Sequence, residues 1–427
     1  MKKLIITGGS NLNGDVYITG AKNASLPLMV ASILTNEKLT LSNLPHVSDI
    51  ATMINLLASL GVEINFNGDS TNHGHKARVI ELQANNIINY SADYNLVRKM
   101  RASILILGPL LARFGYAKVS LPGGCAIGTR PVDLHLKALE KMGATFQLNE
   151  GYIEGRVQGK LKGTEIHCEK VSVGATENIL MSACLAEGET TIFNSAREPE
   201  IVDLANCLIA MGAKITGAGS SQITVQGVSS LHQATHEIMP DRIEAGTYAI
   251  AAGITGGKIN LHNLNSCVLN SFKQELEQAG LQFKQLPNNI VEVKGDSVIN
   301  AVNISTNPYP GFPTDMQAQF MALMTISNGV SCVEENIFEN RFMHVLELNR
   351  MGANIEYHNK LAIVKGVNHL QAAEVMATDL RASVSLVLAG LVAKGQTVIN
   401  RLYHLERGYE DLAEKLINCQ ADIKIIY

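Results

Sequence analysis

The sequence predicts an α/β protein built from six copies of one unit, grouped three and three into two domains, and three observations carry that prediction. First, an apolar helix end followed by glycine and a strand start recurs at Gly61, Gly143, Gly212, Gly280 and Gly352, with Gln420 standing in the sixth copy. Second, small-residue-rich apolar helices precede strands that end in a polar turn, as at Asn43, Asn194, Asn263 and Asn400. Third, 427 residues suffice for two or three domains with full cores.

Each element follows from local chemistry. The glycine is read as the C′ residue of a helix, where a left-handed backbone is cheap without a side chain. Spacings of about 70 residues are too long for a short-repeat solenoid, so each unit packs its own sheet and helices. The order within a unit reads strand, helix, strand, helix, strand, strand. The inner helices are expected over 24–34, 100–114, 178–186, 243–254, 316–326 and 380–393. Polar groups open them: Lys22-Asn23, Arg98-Lys99 with Arg101, Thr176-Glu177, Asp241-Arg242, Thr314-Asp315, and Thr378-Asp379 with Arg381. Asp and Thr serve there as caps. Cations are disfavoured at a helix's positive end, so Lys22, Arg101, Arg242 and Arg381 imply an anion opposite.

Composition excludes several classes. Charged residues are 17% and the net charge is -4, which gives no footprint for nucleic acid or a membrane surface. The apolar run after Met1 breaks at Gly8-Gly9, without a secretory cleavage site, and runs such as 102–112 are too short to span a bilayer. The seven cysteines are scattered, odd in number and never in a CxxC pair, which speaks for a reducing compartment and a cytoplasmic protein.

The chemistry centres on Cys125 in Pro122-Gly123-Gly124-Cys125-Ala126-Ile127-Gly128-Thr129-Arg130-Pro131-Val132-Asp133-Leu134-His135. Pro131 fits the first residue of a helix, which puts Arg130 beside a helix N-terminus, a natural phosphate site. Both favour a thiolate at Cys125. The other six cysteines, at 168, 184, 207, 267, 332 and 419, read as small buried hydrophobes. No Gly-Lys-Ser/Thr follows, so the loop is not a P-loop. Asp315, behind Pro308, Pro310 and Pro313, is either a helix cap or a general base for a substrate hydroxyl.

These segments resemble the enolpyruvyl transferase family, and within it the branch that uses a nucleotide sugar. The resemblance rests on the Lys22-Asn23 turn, the Cys125 loop, 312–319, 339–344, 377–383 and 407–410, and it extends over essentially the whole chain. It implies a two-domain inside-out α/β barrel with three units per domain. One domain would be 22–239, and the other 1–21 plus 240–427. The substrates would meet in a cleft that closes on binding.

The implied reaction moves the enolpyruvyl group of phosphoenolpyruvate to the 3-hydroxyl of UDP-N-acetylglucosamine and releases phosphate. By resemblance, Cys125 protonates the methylene carbon and can form a covalent adduct, and Asp315 is the base. Lys22, Asn23, Arg130, Arg381 and Arg407 would hold phosphoenolpyruvate, with Asp379 in support. Arg101, Arg130, Pro131, Val132, Asp133, Leu134, Lys170, Val171, Ser172, Val173, Gly174, Asp315 and Ile337 would hold the nucleotide sugar. No metal or cofactor is implied. Cys125 makes fosfomycin inactivation an expectation. The alternatives are a synthase of 5-enolpyruvylshikimate 3-phosphate and a silent UDP-sugar-binding paralogue. Ala126, Thr129 and a surface-loop insertion at 68–76 depart from the family pattern.

Overall fold

The computed structural model describes residues 2–72, 75–121 and 132–426. They divide into two compact units, one from the residues up to Thr19 with those from Pro240 onward, the other from Gly20 to Met239. The described residues form six four-stranded sheets of one topology, such as Glu165–His167, Glu189–Phe193, Gln222–Gln226, Lys214–Thr216 in that order. The first pair is parallel and the rest antiparallel. Inside each unit run apolar helices that the sheets cover. Every residue of the Arg242–Ile254 helix is buried, as is the Leu380–Val392 helix from Arg381 to Leu391. A helix apolar on all sides has nowhere to go but a core.

The recurring glycine does what the sequence implied. Gly61, Gly143, Gly212, Gly280 and Gly352 have φ of 102°, 99°, 101°, 110° and 85°, and Gln420 adopts the same left-handed state at 75°. The sixth helix therefore closes as the others do, with Ala421 N donating to Leu416 O as Val62 N does to Leu57 O. A further repeated glycine escaped the sequence reading. Gly8, Gly227, Gly295 and Gly366 end outer strands directly over the last carbonyls of the inner helices. A Cβ on Gly366 would lie 1.7 Å from Ser327 O, and one on Gly227 1.8 Å from Ala186 O.

Four expectations need correction. Only part of the repeat is contiguous. The Lys38–Leu44 strand takes its parallel neighbour from Ala234–Glu237, the Lys258–His262 strand from Asn13–Tyr17, and Lys3–Thr7 completes the sixth sheet. Closing a long loop costs little more than closing a short one, so pairing does not require nearness in sequence. At the two crossings, Ala21 N donates to Met239 O at 2.7 Å and Asp241 N to Thr19 O at 2.8 Å. The polar turn is left-handed at Asn43, Asn194 and Asn263, but in the sixth copy the position is Arg401, φ 62°, one residue past Asn400. The insertion expected as a loop is a longer hairpin, Glu63–Asn72 against His75–Gln83, with a register shift between Phe66 and Asp69. Finally, Cys184, Cys207 and Cys419 are buried, but Cys168 and Cys332 are half-buried and Cys267 is exposed.

Candidate active site

In the unit that includes Pro240 onward, three inner helices start close together. Asp241 and Asp379 are true caps: Asp241 Oδ1 accepts from Ile243 N and Glu244 N, and Asp379 Oδ1 from Arg381 N and Ala382 N. Asp315 is placed differently. It lies in the 3-10 turn Thr314–Met316, which has no side-chain cap. Its Oδ1 accepts from Arg341 Nη2 at 2.6 Å and its Oδ2 from Arg381 Nη2 at 2.9 Å. Arg381 Nη1 also donates to Tyr409 Oη at 3.1 Å, which lies 2.9 Å from Thr247 Oγ1. Gln319 Nε2 donates to Asp315 O. The cap reading of Asp315 therefore gives way to an ion-pair reading.

The electrostatics follow from that packing. Burial opposes ionisation of Asp315, but the charges and hydrogen bonds of Arg381 and Arg341 outweigh it and hold the carboxyl well below its usual range. The side chain of Asp315 stays 27% exposed while both arginines are 5% exposed. The Asp315 side chain is thus partly exposed beside two buried arginines. Arg407 closes the 3-10 turn Leu402–Arg407, two residues before Tyr409. Gly408 allows that turn to lie against the start of the Leu380–Val392 helix, since a Cβ there would be 2.6 Å from Leu380 Cδ2. Ile337 is half-buried, and its N–H donates to Glu335 Oε1.

In the unit from Gly20 to Met239, Lys22 opens the Lys22–Ala31 helix with Asn23 after it. Lys22 Nζ lies 3.2 Å from Asp49 Oδ2, with side chains 12% and 6% exposed. The anions read from helix-start cations thus include the protein's own carboxylates, Asp49 at Lys22 and Asp315 at Arg381. Arg101 opens the 3-10 segment Arg101–Ile106. Ser172 accepts from Ala175 N and caps Val173–Ala183, so Val173 and Gly174 form its first turn and Lys170 and Val171 lead in. Thr176 and Glu177 are therefore one turn inside the helix rather than at its opening. Thr176 Oγ1 instead accepts from Ala196 N.

A buried histidine joins these segments. Val132 precedes the Asp133–Lys141 helix, with Asp133 and Leu134 in its first turn. His135 Nδ1 faces Asn178 Nδ2 at 3.1 Å. Asn178 Nδ2 also reaches Ile104 O, and its Oδ1 accepts from Gly108 N. Burial, then the charge of Arg101, lowers the His135 pKa to about 4. The ring is neutral at pH 7 and accepts at Nδ1. A Cβ on Gly174 would sit 3.4 Å from His135 Cε1. The 132–134 and 171–174 segments thus meet around His135. Cys125, Arg130 and Pro131 lie outside the described residues.

Sequence reasoning quoted Arg341, Tyr409 and His135 within motifs but assigned them no role, and it missed Asn178 and Asp49. A polar Asn178 in an apolar helix was the one available signal. Among the described residues no group of three or more His, Cys, Asp or Glu is placed to hold a metal ion. No helix among them is long and apolar enough to cross a membrane.

The model of the EPSP synthase (3-phosphoshikimate 1-carboxyvinyltransferase) family matches residues 6–416. The chain belongs to this enolpyruvyl transferase family. Its family fold is seen in the enolpyruvyl transferase NikO from Streptomyces tendae, with a TM-score of 0.87 at 22% identity over 100% of this chain and 99% of that one. The EPSP synthase of Acinetobacter baumannii superposes with a TM-score of 0.77 at 17% identity over 100% of both chains. Enolpyruvyl transferase relatives are much more similar in sequence. The UDP-N-acetylglucosamine 1-carboxyvinyltransferase of Paramagnetospirillum magneticum is 58% identical over 99% of this chain and 98% of its own. The protein of that name from Rhodospirillum centenum is 56% identical over 99% of both chains.

Proposed function

We propose that this enolpyruvyl transferase moves the enolpyruvyl group of phosphoenolpyruvate to the 3-hydroxyl of UDP-N-acetylglucosamine and releases phosphate. The observation that carries this reading is 58% identity along nearly the full length of a relative so named. The reaction is an addition followed by an elimination. The sugar oxygen bonds to C2 of phosphoenolpyruvate as C3 takes a proton, giving a tetrahedral ketal. Loss of a C3 proton with departure of phosphate restores the double bond. The product is the first committed precursor of peptidoglycan, and the protein works in the cytoplasm.

Cys125 is the proton donor to C3 and the site of a covalent adduct; Asp315 accepts the proton of the 3-hydroxyl. Asp315 is ionised at neutral pH, as a base must be, but two arginines weaken its basicity. A substrate anion that competes for Arg381 weakens its hold on Asp315 and raises that basicity, so phosphoenolpyruvate binding and base activation are linked. Lys22, Asn23, Arg130, Arg381 and Arg407 serve phosphoenolpyruvate. Arg101, the 130–134 and 170–174 segments, Asp315 and Ile337 serve the nucleotide sugar. Arg381 is 5% exposed and bonded to Asp315 and Tyr409, so this cation is in place before the substrate arrives.

Phosphate release with each acceptor tests the reading. Turnover is expected with UDP-N-acetylglucosamine and none with shikimate 3-phosphate; the reverse preference would replace the proposal with the shikimate reaction. Binding without turnover would favour the silent paralogue. Cys125→Ser and Asp315→Ala should each lower the rate by at least about a hundredfold, and full activity in Asp315→Ala removes that residue from the mechanism. Fosfomycin should add one equivalent of mass on Cys125. An unmodified thiol after treatment contradicts the activated-cysteine role.

A further inference from the structure

Glu335 follows the Val330–Glu334 strand and is 1% exposed. Its carboxylate accepts four hydrogen bonds. Oε1 takes Thr306 Oγ1 at 2.9 Å, Ile337 N at 2.9 Å and Phe338 N at 3.1 Å. Oε2 takes Thr314 Oγ1 at 2.8 Å. Thr314 has one hydroxyl proton, and Glu335 holds it. The remaining lone pairs face Arg341, whose Nη1 donates to Thr314 Oγ1 at 2.8 Å and whose Nη2 donates to Asp315 Oδ1 at 2.6 Å. The guanidinium plane is fixed at two corners, one on Thr314 and one on Asp315.

We propose that Glu335 is a positioning residue for the transferase reaction. By orienting the Thr314 hydroxyl it sets the plane of Arg341 and hence the direction of the Asp315 carboxylate. Through the amides of Ile337 and Phe338 it also shapes the segment assigned to the nucleotide sugar. This inference rests on the function proposed above. Charge alternates along the relay from Glu335 to Arg341 to Asp315 to Arg381, so each buried charge has an opposite neighbour. Further titratable groups face this cluster: Tyr409, bonded to Arg381, Asp241, whose charge acts on Arg381, and buried His344, which feels the charges of Arg341 and Asp379.

The chemistry of an amide allows a selective test. Glu335→Gln keeps the size of the side chain but has one oxygen. That oxygen stays with the three donors on the Oε1 side, which leaves the amide N–H facing Thr314 and reverses its hydroxyl. Thr314→Val removes the next link at nearly constant shape, and Thr314→Ser restores it. The readout is steady-state phosphate release against pH for wild type and the three variants, with melting temperatures alongside. Glu335→Gln and Thr314→Val are expected to lose about ten- to a hundredfold in kcat. KM for UDP-N-acetylglucosamine should change less, and the acid limb of Thr314→Val should move to higher pH because Arg341 holds Asp315 less firmly; Glu335→Gln also removes a like charge, which opposes that shift. Thr314→Ser should regain most of the rate. Folded variants with wild-type kcat and an unmoved acid limb overturn the relay, as does a loss confined to KM or a Thr314→Ser no better than Thr314→Val. A wild type that releases no phosphate with these substrates overturns the functional reading instead.

Discussion

At the scale of single residues, Asp315 shows how packing changes what a carboxylate can do. Its folded pKa lies below the unfolded value, so its stabilising contribution is present above about pH 3.9 and is lost only as pH falls toward the lower folded value. Asp315→Asn removes the carboxylate that Arg341 and Arg381 share, leaving two buried cations without their directly bonded anion. The expected cost is about 3 kcal/mol at pH 7, measured by urea unfolding; an unchanged midpoint would show that the arginines find other partners. Glu177 behaves in the opposite sense. It is 4% exposed, and burial, then Glu200 and Glu198, push its pKa well above 4.5. The stability it contributes is complete below the unfolded value and is lost as pH rises through the folded one, at about 1.4 kcal/mol per unit within that window. Glu177→Gln should therefore flatten the fall in melting temperature between pH 5 and pH 8, and an identical fall would contradict the buried-acid account. His135, neutral for reasons of burial and Arg101, needs its tertiary surroundings for that state; nothing in Asp133-Leu134-His135 implies it.

At the scale of elements, the helix ends carry the clearest signal. Gln420 takes a φ of 75° where its five counterparts are glycine. A side chain in that conformation costs about 1 kcal/mol, so Gln420→Gly should raise the melting temperature in calorimetry. A lower value would mean that the Gln420 side chain makes contacts worth more than the strain. Gly366→Ala should act the other way by about 2 kcal/mol or more, because its Cβ would be 1.7 Å from a backbone oxygen. These glycines were legible to different degrees. The C′ set stands in a local pattern of apolar helix end and strand start, visible in one dimension. The Gly8, Gly227, Gly295 and Gly366 set answers to a helix far along the chain, so its repeat has meaning only once strand and helix are packed. The Val173–Ala183 helix start was misplaced by one turn because Ser172 and Thr176 are equally good caps in sequence, and only the fold gives Thr176 another donor in Ala196 N.

At the scale of the whole molecule, a ligand that binds the folded chain alone must stabilise it. UDP-N-acetylglucosamine at a hundred times its Kd should add about 2.7 kcal/mol to unfolding, read as a concentration-dependent rise in melting temperature. No rise would count against the nucleotide-sugar reading. The repeat number, the α/β class, the inner helices and the chemical character of the candidate residues were determined by sequence alone. Each depends on patterns a few residues to a helix length long, which local sterics and apolar periodicity enforce. Which strand closes which sheet was decided by tertiary structure. Asn13–Tyr17 and Ala234–Glu237 each precede one inner helix in the chain and pair beside another, and side-chain pattern does not encode a partner. The same holds for the partners of Asp315. Arg341 and Arg381 lie 26 and 66 residues away, and only tertiary packing makes those cations its neighbours and turns a candidate cap into an ion-paired carboxylate.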